Sequence, residues 1–228
     1  MTSPVLIHLA TVDSTQAFLK RHPELGFCAV LADHQTAGVG RQGHRWESAA
    51  GAGLWLSVAL PPPALSPGLV MQRAMGAAAQ VLDPSHRVLG LKWPNDLVAW
   101  TGGRLHKVGG ILGEQTGGRL ILGLGVNLKE APHLPSRAIP AASLTDLGLD
   151  VLPGPKLAIH IARSFMNLDQ HPQPAFLWPE PGAPIRWEAG QGTCLGWEPD
   201  GRLKVATASG IQRISAGEVV GLASVNGP

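Results

Sequence analysis

Apolar residues recur along this chain with two distinct periods. Short apolar runs bounded by glycine, proline or asparagine predict strands at Val5 to Leu9, Phe27 to Ala32, Gly53 to Leu60 and Val88 to Trp93. Two more runs, Lys107 to Glu114 and Arg119 to Leu128, flank Gln115-Thr116-Gly117-Gly118, a hairpin signal. Pro61-Pro62-Pro63 and Pro94-Asn95-Asp96 end the runs before them, since proline donates nothing to a ladder. Helical spacing takes over elsewhere. Asp13-Ser14-Thr15 supplies capping chemistry for a helix running to about His22. Leu69 to Leu82 is alanine-rich and helical, and Pro155 to Leu168 is a further helix. Together these elements predict an α+β fold, a mixed β-sheet backed by helices. The stretch 171–184 carries five prolines and predicts a boundary between a domain over 1–180 and a smaller one over 184–228. Beyond it, Arg202-Leu203-Lys204-Val205 and Ile211-Gln212-Arg213-Ile214 alternate between glycine turns, which predicts a small C-terminal β-barrel.

The hairpin carries a register expectation. With a three-residue loop Thr116 to Gly118, Gln115 pairs with Arg119, Lys107 lies opposite Asn127, and Gly109 lies opposite Gly125. Strand alternation then gives one face Gly123, Gly125 and Asn127, beside Lys107 and Gly109. A slip of one residue would turn that face over.

At 228 residues the chain suffices for one substantial domain with a core of its own. Charged residues make up only 15%, the formal net charge is +2, and no Lys/Arg run stands out, so no nucleic-acid footprint is present. Two cysteines, Cys28 and Cys194, make neither a disulfide framework nor a C-x-x-C metal pair. No apolar stretch of about 18 residues predicts a membrane span, and the start MTSPVLIHLA lacks the charged n-region of an export signal. A cytoplasmic location is the expectation.

Gly38, Gly40 and Gly43 in HQTAGVGRQGHRW spell G-x-G-x-x-G. A dinucleotide turn needs a helix next and an acidic residue about 20 positions on. Residues 44–53 have no helical period, and residues 58–68 hold no Asp or Glu. No P-loop and no G-x-S-x-G is present, and His34, His44 and His106 lack metal-ligand spacing. What remains is a glycine loop able to fold Arg41 and Arg45 over an anion. Lys92-Trp93-Pro94-Asn95-Asp96 puts polar side chains in a turn at a strand end, where an Asp can hold Mg²⁺ beside a phosphate. Lys107-Val108-Gly109-Gly110 sets a point charge beside backbone bare of side chains.

Asp13-Ser14-Thr15, Gln35 followed by GVGRQGHRW, KWPND (92–96), KVGGIL (107–112) and GLGVN (123–127) resemble, in order and spacing, the biotin protein ligases. The resemblance runs over roughly residues 5–150. It implies a class II synthetase-like catalytic fold, ATP-dependent formation of biotinyl-5′-AMP, and transfer of biotin to a lysine of a biotin carboxyl carrier protein. Carried over by position, Arg41 and Lys107 become the catalytic cations. Ser14, Thr15, Gln16, Gln35, Gly38, Val39, Gly40, Arg41, Lys107, Gly109 and Gly110 become biotin contacts. Arg41, Arg45, Trp46, Lys92, Asn95 and Asn127 become ATP or adenylate contacts, and Asp96 the Mg²⁺ ligand. A loop over residues 129–143 would order across the adenylate. The usual family loop reads GRGRRG, so Val39 and Gln42 replace arginines here. About a dozen residues precede Asp13, too few for a DNA-binding helix-turn-helix, so no DNA partner is expected; a homodimer is compatible with the resemblance. Two alternatives stay open: a lipoyl or octanoyl ligase or transferase of the same fold, and a biotin-binding module without catalysis. A transferase would want a Cys–Lys pair.

Overall fold

The computed structural model describes residues 4–47, 49–134, 139–168, 174 and 176–222. Its chain order is β1 (Val5–Val12), α1 (Thr15–Arg21), β2 (Cys28–Gln35), β3 (Gly53–Leu60), α2 (Pro67–Leu82), β4 (Leu89–Lys92), β5 (Asp96–Thr101), β6 (Arg104–Thr116), β7 (Arg119–Asn127), α3 (Gly154–Phe165) and β8 (Leu177–Trp178). These strands form one eight-stranded sheet in the order β1-β2-β3-β7-β6-β5-β4-β8. β1–β2 and β4–β8 are parallel and the remaining pairs antiparallel.

The central strands read as continuous apolar runs because both of their faces are covered. On β3, Leu54, Leu56, Val58 and Leu60 join the main core with α2 and α3, among them Ala74, Met75, Leu157 and Ile161. The next face over, at Ala59 with Val30, Cys28 and Ile121, lies under Leu19 of α1. Each such leucine contributes roughly 2 kcal/mol by leaving water. Beside the start of α1 that same face opens, and the small or polar Ser57, Gly123, Gly125 and Asn127 line it.

The sequence pattern misses β5, whose Leu97-Val98-Ala99-Trp100 is apolar but follows directly on the Pro94-Asn95-Asp96 turn. The hairpin register differs from expectation by one residue: Thr116 pairs with Arg119, Gly110 with Gly125 and Gly109 with Val126. Gly117 and Gly118 both have positive φ (56° and 69°), so the turn needs two residues rather than three. A bulge then intervenes. Gly109 pairs with Leu97 and Lys107 with Val98, leaving Val108 as the extra residue. Lys107 is thereby returned to the face of Gly110 and Asp96, while Gly109 is turned to the other.

A second, five-stranded antiparallel sheet comprises β9 (Pro184–Trp187), β10 (Gly190–Trp197), β11 (Leu203–Thr207), β12 (Gly210–Ile214) and β13 (Val220–Gly221), in the order β12-β11-β10-β9-β13. Among the described residues β12 and β13 remain edges, so this is an open sheet rather than a closed barrel. The proline-rich stretch 171–184 falls partly outside the described residues, and Leu177–Trp178 within it adds an edge strand to the first sheet. Ile185, Trp187, Cys194, Leu203 and Val205 share a core with Trp93, Val98 and Trp178, which joins the two sheets. Among the described residues no helix is long and apolar enough to cross a membrane.

Candidate functional site

A cavity of about 430 Å³ lies on the open face of β3, β7 and β6, between the start of α1 and the turn from β4 to β5. That volume suits a small organic ligand.

At one end, neutral polar groups converge. Ser14 is the N-cap of α1, and its hydroxyl accepts from Ala17 N at 3.4 Å. Capping exposes the next residues to the cavity. The Thr15 amide donates to Gln35 Oε1 at 2.8 Å, as does its hydroxyl at 3.2 Å. The same hydroxyl lies 2.7 Å from Ser57 Oγ. Ser57 is the single polar residue within the apolar run of β3, and it is fully buried. Gln16 Nε2 donates to Glu114 Oε2 at 2.7 Å.

The other end is charged. Lys107 Nζ lies 2.7 Å from Asp96 Oδ1 and 5.4 Å from the Trp46 ring. Trp46 lies flat against Gly125, where a Cβ would sit 2.6 Å from the indole. Lys92 is 2% exposed, with its ammonium 5.4 Å from the Trp178 ring. Burial holds the Lys92 pKa below the usual lysine value, opposed by the carboxylates of Asp96 and Glu218. Four basic side chains, Arg41, Arg45, Lys92 and Lys107, and three carboxylates, Glu47, Asp96 and Glu218, thus line one cleft. An arriving anion finds fixed positive charge in excess.

The glycine loop folds over the cleft as a flap. Val39 and Arg45 bridge antiparallel, Gly40 N donates to His44 O at 2.7 Å, and Trp46 N donates to Gly38 O at 2.9 Å. Its tip is a tight turn over Arg41–Gly43, in which Gln42 and Gly43 are left-handed (φ 55° and 75°). Arg41 Nη1 donates to Asn95 Oδ1 at 3.2 Å and to the Gly217 carbonyl at 3.3 Å. Asn95 in turn donates to Ile111 O at 2.8 Å. Asn127 is buried and donates to Ala142 O at 3.2 Å, tying the floor to the segment that follows β7. Within the expected covering loop, Pro132, Leu134, Ile139 and Ala141 line the cavity, and residues 135–138 lie outside the described residues.

Of the residues singled out in the sequence, Ser14, Thr15, Gln16, Gln35, Val39, Gly40, Arg41, Arg45, Trp46, Lys92, Asn95, Asp96, Lys107, Gly110 and Asn127 line this cavity. Gly38 and Gly109 do not. Gly38 is buried behind the flap, holding Trp46 N through its carbonyl. Gly109 is turned away by the bulge, and a Cβ there would meet Gly125 O at 2.6 Å. Ser57 and Glu218 line the cavity without having been singled out. A lone serine in an apolar strand is a readable signal; Glu218 carries none, because only the docking of the second sheet brings it here.

The profile of the family "Biotin/lipoate A/B protein ligase family" matches residues 10–129. The biotin--[acetyl-CoA-carboxylase] ligase of Mycobacterium tuberculosis is 35% identical over 127 residues, covering 53% of this chain and 46% of that protein. The ligase of the same name from Paracoccus denitrificans is 39% identical over 139 residues, covering 54% of this chain and 55% of that protein. The matched stretch thus spans about half the length of these relatives. Among solved structures, the biotin protein ligase of Aquifex aeolicus in complex with biotin and ATP superimposes with a TM-score of 0.74 at 25% identity, covering 95% of this chain and 97% of that one.

Proposed function

Because this chain belongs to the biotin/lipoate A/B protein ligase family, we propose that it activates biotin with ATP as biotinyl-5′-AMP and transfers it to a lysine of a biotin carboxyl carrier protein. The observation that carries this reading is the position of Lys107. It stands at the head of a strand face bared by Gly110, Gly123 and Gly125, with neutral polar groups on one side and the Arg41 flap on the other. The ureido ring of biotin, a compact set of donors and acceptors, suits the end built by Thr15, Gln35 and Ser57. The nucleotide suits the end built by Lys92, Asn95 and Arg41. Relatives named for biotin, and an Aquifex structure holding biotin and ATP, support the same assignment.

The chemistry follows from charge. The biotin carboxylate oxygen attacks the α-phosphorus, a new O–P bond forms, and pyrophosphate leaves with the electrons of the broken P–O bond. Two anions must meet, a Coulomb cost that fixed cations remove. Lys107 bridges carboxylate and phosphate oxygens, and Arg41 covers the phosphate. In the second step a lysine amine attacks the acyl carbon and AMP leaves. Mg²⁺ is usually held by one or two carboxylates plus substrate phosphates. Asp96, which shares the charged end of the cleft with Glu218, would fit that role; the ion would add positive charge against the departing pyrophosphate.

The rival reading, acyl transfer through a cysteine thioester, finds little support in the two thiols. Cys28 is buried beneath α1 and Cys194 within the second sheet, and burial raises the pKa of both. A thiol held protonated and out of reach is a poor nucleophile.

The deciding experiment is ATP–pyrophosphate exchange with biotin, lipoate or octanoate as the acid. Biotin-dependent exchange is the expected result. Exchange with lipoate or octanoate alone would transfer the assignment to a lipoyl or octanoyl ligase of the same fold, and no exchange with any of the three acids would favour the thioester reading. Lys107→Ala should lower the biotin-dependent rate at least a hundredfold while the circular dichroism spectrum stays native; near-normal exchange in that variant would remove Lys107 from the mechanism.

A further inference from the structure

At the neutral end of the cavity a buried amide is oriented by a partner outside it. Gln16, the second residue of α1, is 6% exposed and lines the cavity beside Ser57 and Gly123. Its Nε2 donates to Glu114 Oε2 at 2.7 Å, and the same oxygen lies 3.1 Å from Lys20 Nζ. An ionised carboxylate has no proton to give and only accepts. Facing Glu114, the Gln16 amide must therefore present its NH₂ group, and its carbonyl must point the opposite way. That carbonyl lies over Gly123, where any Cβ would collide with Oε1, and the same Cβ would meet Ser57 Oγ at 3.4 Å. The glycine gives the amide its seat and the carboxylate sets its direction, with Lys20 beside it as an exposed partner.

We propose that Glu114 is a positioning residue that fixes the Gln16 carbonyl as a hydrogen-bond acceptor for a ring N–H of the bound acid. The inference deepens the biotin assignment and rests on it for the identity of the ligand, since a cyclic urea offers N–H donors where an acyl chain or a dithiolane offers none. Glu114 itself stands outside the cavity lining and acts only through Gln16. Lacking a partner that accepts and never donates, Gln16 would be free to turn its NH₂ toward the ligand, and two donors would then face each other.

The test compares wild type with Glu114→Ala, Glu114→Gln and Lys20→Ala, by calorimetric titration with biotin and by exchange kinetics. Glu114→Ala should weaken biotin binding roughly five- to tenfold, the worth of one hydrogen bond. The KM for biotin should rise in parallel, with kcat and the KM for ATP unmoved. Glu114→Gln, whose amide oxygen can still accept from Gln16, should restore most of the affinity. Lys20→Ala should change it less than twofold, since that pair is exposed. Unchanged biotin affinity in Glu114→Ala, or equal losses in the biotin and ATP constants, would overturn the positioning role while leaving the ligase assignment intact. A wild-type chain that binds no biotin would overturn both.

Discussion

Arg41 joins three parts of the molecule: it sits on the flap, donates to Asn95 of the β4–β5 turn, and reaches the Gly217 carbonyl of the second sheet's last segment. A mixed anhydride is reactive toward water, so the site has to close over it. Arg41→Gly removes both anchors of the flap while leaving Lys107 in place. The expected outcome is adenylate that still forms, at a reduced rate because one of the two cations is gone, but is released, so that lysines of a bystander protein such as serum albumin become biotinylated; unchanged acceptor selectivity by mass spectrometry would count against the flap. Arg41 and Lys107 were legible in the sequence because glycines beside a cation leave a recognisable trace. Glu114 and Glu218 were not. Each is an ordinary acidic residue until the fold sets one against Gln16 and the other beside Lys92.

Among the elements, the β6–β7 hairpin shows why a face can be read correctly from a wrong register. The slip of one residue at Gly117-Gly118 would have sent Lys107 to the core side, and the bulge at Val108 brings it back. Hydrophobic pattern registers neither event, since both Val108 and Gly109 are tolerated at a buried strand face. Gly109 pays the difference and leaves the site. Helix α1 is more transparent, because its capping residues are themselves the site. Asp13 grips Arg21 through two hydrogen bonds of 2.6 and 2.8 Å, one helical length away. The guanidinium lowers the Asp13 pKa from 3.8 to about 2. A carboxyl depressed in the folded state stabilises above its unfolded pKa and loses that contribution as pH falls through the folded one. Asp13→Asn should therefore melt below wild type at neutral pH by a small margin, on the order of 1–2 °C for an exposed pair. The gap should close as pH drops from about 4 to 2. A gap independent of pH in thermal melts would show that Asp13 acts through something other than this ion pair.

For the molecule as a whole, the second sheet brings Glu218 to the charged end of the cavity. Ser66 Oγ, at the N-cap of α2, donates to Asp200 O at 2.8 Å, and Trp93 Nε1 donates to Gly201 O at 3.0 Å. Backbone meets backbone there. A Cβ on Gly68 would sit 2.8 Å from Asp200 O, and one on Gly201, at φ 83°, would collide with the Gly68 carbonyl carbon. Trp93 belongs to the same turn that presents Asn95 and Asp96, so this contact fixes the turn as well as the sheet. None of it was legible: Arg41 and Gly217 stand 176 positions apart, and no local pattern announces a contact of that span. The consequence is separable by ligand. Gly201→Ala must force the two backbones apart and hold a side chain in left-handed space, a cost of roughly 2–4 kcal/mol, which lowers Tm by about 5–15 °C in a chain of this size. Below that Tm, the KM for ATP should rise severalfold while biotin affinity, set by α1 and β3 at the far end, stays within twofold of wild type. Equal losses for the two substrates, measured by calorimetry and exchange at 15 °C, would mean that the second sheet supports the fold generally and has no particular hold on the nucleotide end.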